Sequence, residues 1–321
     1  MIDQSKWQLR GPVRAVRTET ATWNAALGAW SEGRFVRSVV FDDAGRVTQL
    51  DERNRDEPVQ RAVYTYDADG RVVEEATGIA GGPVTRARVW KYDDRGRLVS
   101  VAQVGLDESE TIRQRYSYDE QDRRTEETSF PPDPKLSVII VAGTESPFGA
   151  PGAVGAISRS DRAGRPIEID LLDAAGSVLR RVVITRDADG RVIADDAEMT
   201  VPLPAALGAD FTEAFNSIRT TYEYDGLGRL LTCLQRSGVA SERRLEYRYD
   251  DEGNVVEAVE RQIALQVGEA DSIWLHQQRF AHTFDAHGNW TERIASTRFR
   301  EDAAFGRTYH VRRAIEYYGE Q

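Results

Sequence analysis

The chain has 321 residues, 40% of them apolar and 30% charged, which is enough to bury a core and too apolar for a disordered polymer. Aspartate and glutamate outnumber lysine and arginine 53 to 42, which argues against a nucleic-acid backbone or an anionic membrane surface as the main partner. A single cysteine, Cys233, excludes an internal disulfide and a thiolate zinc cluster.

In chain order, Met1 to Arg10 is charged and carries no secretion signal, so a cytoplasmic protein is expected, or an exported one if a signal has been removed. Residues 1–40 read as capping strands. Val13 to Arg17 and Arg34 to Val39 form an opening pair joined through Asn24 to Gly33. From 41 to 300 one phrase returns: an aromatic residue, Asp, two variable residues, Gly, Arg and an aliphatic, as in Tyr66-Asp67-Ala68-Asp69-Gly70-Arg71-Val72. Its acids are Asp42, Asp67, Asp93, Asp119, Asp161, Asp187, Asp225, Asp250 and Asp285. Three residues after each stands Gly45, Gly70, Gly96, Asp122, Gly164, Gly190, Gly228, Gly253 or Gly288. The unit is about 25 residues long, and insertions near 131–157, 201–217 and 261–275 interrupt it. Tyr309, Val311, Arg313, Ile315 and Tyr317 alternate along a closing strand within 301–321. The longest apolar run, Leu136 to Ala142, is too short to cross a bilayer, so no membrane span is expected.

The phrase is turn chemistry. An Asp opening a type I turn accepts hydrogen bonds from backbone N–H groups ahead of it, and Gly in the left-handed region closes a bulged hairpin. Asp122 is the one departure, and Asp is among the few residues that tolerate that region. Each unit is then a hairpin in which Asp67 lies across from Arg71, and Tyr66 across from Val72 on the other face. Glu57-Pro58, Gly81-Gly82-Pro83, Asp107 to Ser109, Gly176, Ser237-Gly238 and Gly268 supply looser turns half a period away. The expected fold is all-β, a single domain of about eighteen to twenty strands in tandem antiparallel hairpins, curved or spiralling as one continuous sheet.

Tyr66 to Val72, Tyr92 to Leu98 and Tyr224 to Leu230 resemble the YD (Rhs) repeat, found in bacterial Rhs proteins, the C component of Tc toxins and the teneurin shell. Weaker copies extend the resemblance from Phe41 to about Ala295. It implies a spiralling, shell-like sheet. Leu9 to Val13, His287 to Trp290 and Ile315 to Tyr318 are similar to small free-standing members of that family. The cleavage motif of toxin-carrying relatives is lacking: the only Asp-Pro, Asp133-Pro134, is mid-chain, so toxin delivery is not implied.

Several groups suggest chemistry, and each has a structural alternative. His276, His282, Asp285 and His287 are metal-ligand types within twelve residues. Yet His282 stands where Tyr64, Trp90 and Tyr247 stand in other units, Asp285 is the repeat acid, and His287 is a variable turn residue. Asp67 to Gly70 and Asp187 to Gly190 look like calcium-loop fragments but lack the glutamate that would complete one. Gly149, Gly152 and Gly155 lie in a Gly/Ala/Pro/Ser stretch without a phosphate-loop lysine, which reads as a flexible insertion and the first point of proteolysis. Asp210 to Glu213 has capping-box spacing for one short helix, with Phe211 and Phe215 covering the sheet. Cys233, in an apolar strand, reads as a small buried residue.

No catalytic residue and no cofactor is therefore expected. The function expected is a non-enzymatic scaffold or binding protein that presents its insertions to another protein. A carbohydrate-binding surface built on Tyr and Trp is the second reading, and a metal-dependent hydrolase on His276 to His287 is the third.

Overall fold

The structure is a computed structural model that describes residues 7, 9–54, 56–107, 109–130, 137–139, 148–150, 152–200, 216–238, 241–264 and 272–319. The helix expected at Asp210 lies outside the described residues, as do Gly268 and positions 131–136, 140–147 and 151 of the first insertion.

The strands run β1 (Val13–Asn24), β2 (Ala29–Trp30), β3 (Arg34–Phe41), β4 (Val47–Glu52), β5 (Gln60–Tyr66), β6 (Val72–Ile79), β7 (Val84–Tyr92), β8 (Leu98–Val104), β9 (Glu110–Tyr118) and β10 (Arg124–Ser129). After β11 (Ser137–Ile139) and β12 (Phe148–Ala150) come β13 (Gly155–Ser160), β14 (Pro166–Leu172), β15 (Val178–Arg186), β16 (Val192–Met199), β17 (Ser217–Tyr224) and β18 (Leu230–Ser237). The last are β19 (Ser241–Tyr249), β20 (Val255–Ala264), β21 (Ser272–Phe284), β22 (Trp290–Arg298) and β23 (Gly306–Tyr317). Each strand pairs antiparallel with its sequence neighbours, except that β2 extends the end of β1 and β11 pairs β12 apart from the main sheet.

The expected spiral is corrected at the ends of the chain. An open sheet would leave β1 with one unpaired flank. Instead β1 pairs with β3 on one side and with β23 on the other, so that Val16 lies opposite both Val39 and Ile315. Among the described residues the antiparallel ladder from β1 through β23, leaving out β2, β11 and β12, is a circuit of twenty strands that closes on itself at the β1–β23 pair. The terminal strands do not shield open ends; they pair with each other, and closure satisfies the N–H and C=O groups that two edges would have left bare. Side chains follow. Arg10 and Asn289 exchange backbone and side-chain hydrogen bonds at 2.7 and 2.8 Å, and the Tyr318 hydroxyl donates to the Phe41 carbonyl at 2.6 Å.

The chain divides into two compact units. The first comprises Met1–Ile112, Gln278–Thr297 and Ala304–Gln321. Its core is Val13, Val16, Val39, Phe41, Val47, Ala62 and Tyr64, the inward phase of the period-2 alternation. The second comprises Arg113–Gln277 and Arg298–Ala303, and its core is centred on Ile169, Leu171, Val182, Ile184, Val192, Ala197 and Tyr222. Ala150, Ala153 and Ala156 belong to this core. The described end of the Gly/Ala-rich stretch thus packs into the core, where residues without long side chains fit closely against the sheet.

Candidate functional site

All nine recurrent acids sit in the turns. At each, the N–H of the residue three on donates to the Asp carbonyl, and the Asp N–H donates to the carbonyl four on. One carboxylate oxygen of Asp67 accepts from the backbone N–H of Asp69 and Arg71 at 3.0 and 2.8 Å, and the other accepts from Arg71 Nε at 2.7 Å. Those bonds, first among them the one from the Arg backbone N–H, hold the carboxyls of Asp67, Asp93, Asp119 and Asp225 below the usual carboxylate range, against the opposing pull of burial. Asn254 and Asn289 take the Arg position at Asp250 and Asp285. Asp122 adopts φ 59°, as its place in the phrase requires. At Gly96 a Cβ would come within 2.5 Å of the Arg71 guanidinium, so glycine there serves close approach as well as turn geometry.

The recurrent tyrosine reaches back one unit. The hydroxyls of Tyr66, Tyr92, Tyr224 and Tyr249 donate to the carbonyls of Val47, Val72, Val192 and Leu230 at 2.6–2.8 Å. The preceding Arg46, Arg71, Arg191 and Arg229 lie over the same rings at 4.8–5.3 Å. A tenth turn of this kind, Asp173 to Gly176, joins β14 to β15. Its Asp-Ala-Ala-Gly-Ser-Val sequence fits the phrase with Ser for Arg.

The histidines do not form one site. His276 lies in the second unit, stacked on Phe299 at 5.3 Å with its Nδ1 4.0 Å from Glu260. His282 and His287 lie in the first unit, against Trp290 and Tyr317 respectively. Asp285 is held by the backbone N–H groups of His287 and Asn289 and by the Tyr317 hydroxyl. Among the described residues no group of three or more His, Cys, Asp or Glu is placed to hold a metal ion.

Sequence reasoning missed the polar side chains in the inward phase of the second unit. Asp195 is fully buried, opposite Ile184 and Thr220 in register, and its Oδ2 accepts from the Tyr222 hydroxyl at 2.6 Å. Burial pushes the carboxyl above its ordinary range, against the opposing pull of the Tyr222 and Thr220 hydroxyls beside it. Arg180, 1% exposed between Leu171 and Met199, has its pKa pulled down to about 10 by burial. Asp195 could hold a proton, but the groups around it supply neither a nucleophile–base pair nor a metal site. On the opposite face Asp170 is bound by Arg159 and Arg181 at 2.9 and 2.7 Å, a self-satisfied ion cluster.

At the strand ends away from the tight turns, the first unit exposes apolar side chains. Leu27 (76% exposed) and Leu106 (78%) occupy turns, and Ile79 and Val84 flank another.

No protein-family model and no curated protein matches the chain. Among solved structures it is similar to a porin-like protein from Bacteroides uniformis, with a TM-score of 0.37 and 9% identity over 96% of this chain and 98% of that one. It is also similar to a TcdB2-TccC3 structure, with a TM-score of 0.26 and 16% identity over 92% of this chain and 19% of that one. The Tc holotoxin pore of Photorhabdus luminescens gives 0.22 and 14%, over 87% of this chain and 17% of that one. The neighbours thus include Tc toxin components, the group the hairpin phrase resembles, while the chain spans about a fifth of their length.

Three expectations are corrected. The pairing of β1 on both flanks conflicts with an open, spiralling repeat shell, so neither the YD/Rhs nor the hairpin-repeat reading is kept. The absence of a membrane span was inferred from the lack of a long apolar run. That test addresses helices: no helix among the described residues is long and apolar enough to cross a membrane, which says nothing of a β-barrel. Closed barrels cross bilayers with strands, and β1 here is paired on both flanks, so the no-span expectation and the cytoplasmic location that accompanied it are withdrawn.

Proposed function

We propose that the chain is a non-enzymatic binding protein whose ligand is another protein, engaged at the strand ends away from the tight turns. The observation that carries this reading is the exposure of Leu27, Leu106, Ile79 and Val84 there in the first unit. Exposed aliphatic residues gathered at one end of a sheet are a usual signature of protein contact. The repeat chemistry supports it from the other direction, because the recurrent Asp, Gly, Arg and Tyr are engaged in turns and inter-unit stitching. The three insertions also depart from such ends, after β10, β16 and β20.

Site-specific photo-crosslinking in the source cell tests this. A photoreactive residue at position 27 or 106 is expected to give one discrete adduct that the same residue at Ala44, in a tight turn, does not. Leu27→Asp combined with Leu106→Asp should abolish labelling from position 84. No adduct, or equal labelling from all positions, overturns the reading.

A further inference from the structure

In the first unit, the core face of β1, β3 and β23 begins aliphatic, with Val16 between Val39 and Ile315. Two residues further along the same face the row becomes Arg37, Thr18 and Arg313. Neighbouring strands lie about 4.8 Å apart, so the backbones of Arg37 and Arg313 are about 10 Å apart across Thr18. From β22, Trp290 and Arg293 join this group. The Arg313 guanidinium lies 3.5 Å from the centroid of the Trp290 ring, and that of Arg293 lies 5.1 Å from the same ring and 5.4 Å from Phe280.

The charges do not balance. Arg37 meets a carboxylate, that of Glu52. Among the described residues, Arg293 and Arg313 have no carboxylate and no hydrogen-bond acceptor, and the Nε atoms of all three arginines are buried without a partner. Burial, and then the nearby charges of Arg293 and Arg37, pull the Arg313 pKa down to about 10. On the outward face of the same strands the arginines are provided for: Arg17 pairs with Glu19, and Arg312 with Glu292. The deficit is confined to the core face.

Arg293 and Arg313 are half-buried, and a guanidinium whose Nε is shut off from water without an acceptor gains from a ligand of opposite sign. An indole face offsets part of the cost of one guanidinium but offers its planar fork of donors no acceptor. That fork matches the spacing of oxygens on a carboxylate or phosphate.

We propose that Arg293 and Arg313, with Arg37 and Thr18 beside them and Trp290 as the wall, form a binding site for an oxyanion, the shared chemistry of phosphate and carboxylate ligands. The site is independent of the protein-contact reading above. It involves none of the exposed aliphatic residues, so either can fail alone.

The test uses the whole protein. Thermal unfolding is followed in sodium phosphate and in sodium succinate, each against sodium chloride at equal ionic strength, and Trp emission is titrated with the same salts. One or both oxyanions should raise the unfolding midpoint above chloride, and whichever does names the source. Tryptophan emission should change saturably, and Trp290→Phe should remove that change. Arg293→Gln combined with Arg313→Gln should weaken the apparent affinity by about tenfold or more, the usual consequence of losing charge-assisted bonds. Equal midpoints in chloride, phosphate and succinate overturn the proposal, as does an unaltered response in the double variant. Should the double variant not fold, the wild-type titration against Trp290→Phe decides: a saturable signal lost with Trp290 upholds the site, and no signal, or one that survives, overturns it.

Discussion

A proline placed in β1 distinguishes a closed circuit from an open sheet. Successive residues of a strand direct their N–H groups to opposite neighbours, so of Arg17 and Thr18 one donates toward β3 and the other toward β23. In an open sheet one of those flanks is bare, and one of Arg17→Pro and Thr18→Pro would remove no ladder bond. In the closed circuit both positions have partners on either side: Ser38 and Ala314 for Arg17, Arg37 and Arg313 for Thr18. Each proline then strands a neighbour's carbonyl, at about 1–3 kcal/mol, and distorts a strand that is central rather than peripheral. Together these give about 3 kcal/mol. With an unfolding entropy of about 2.1 cal/mol/K per residue, 321 residues give about 0.7 kcal/mol/K, so each variant should melt about 4 °C below its control. The controls are Arg17→Ala and Thr18→Ala, which subtract the side chains; the Arg17–Glu19 pair is exposed and contributes under about 1 kcal/mol. Melting followed by circular dichroism gives the comparison. Either proline variant lying within about 0.5 kcal/mol of its alanine control would mean that β1 has a free flank.

Other expectations concern the turns and the core. Asp122→Gly should stabilise by about 0.5–1 kcal/mol by relieving a left-handed backbone at φ 59°, and Gly70→Ala, at φ +75°, should cost about 1–2 kcal/mol; urea titration reads both. Leu171→Ala, in the fully buried centre of the second unit, should cost about 2–5 kcal/mol in the same assay, and a loss well below that would place Leu171 outside a packed core. Because burial raises the Asp195 carboxyl pKa in the folded protein above its unfolded value near 3.8, the folded state binds the extra proton. That contribution to stability is present at low pH and is lost as pH rises through the folded pKa. Asp195→Asn should therefore gain stability relative to wild type as pH rises above about 4, and parallel profiles for the two proteins would contradict the assignment.

What the sequence discloses depends on how local the physics is. The turn phrase is self-contained, since Asp67 satisfies the N–H groups of Asp69 and Arg71 within one hairpin, and even the exceptional Asp122 can be read in advance. Asp173 escaped because Ser177 removes the arginine from the phrase while keeping the geometry. Closure could not be read at all. It depends on Val16 meeting Ile315 across almost the whole chain, and nothing in either strand distinguishes that partner from an open edge. The histidines could be weighed in advance, since each has a place in the strand or turn pattern; His276 packs on Phe299 and His287 on Tyr317. A usable signal for the buried charges did exist. The buried Asp195 and Arg180 and the half-buried Arg313 occupy the inward phase of their strands, where a charge requires an explanation.

Closure is tested most directly by a covalent bridge across the β1–β23 seam. Arg17 and Ala314 are register partners, and paired residues on antiparallel strands have Cα atoms about 4.5–5.5 Å apart, within the span of a disulfide. In a Cys233→Ser background carrying Arg17→Cys and Ala314→Cys, mild oxidation of the native monomer should join the peptides bearing positions 17 and 314 within one chain. Thiols that stay reduced in the folded protein, or that link only separate chains, would show that the two ends of the sheet do not meet.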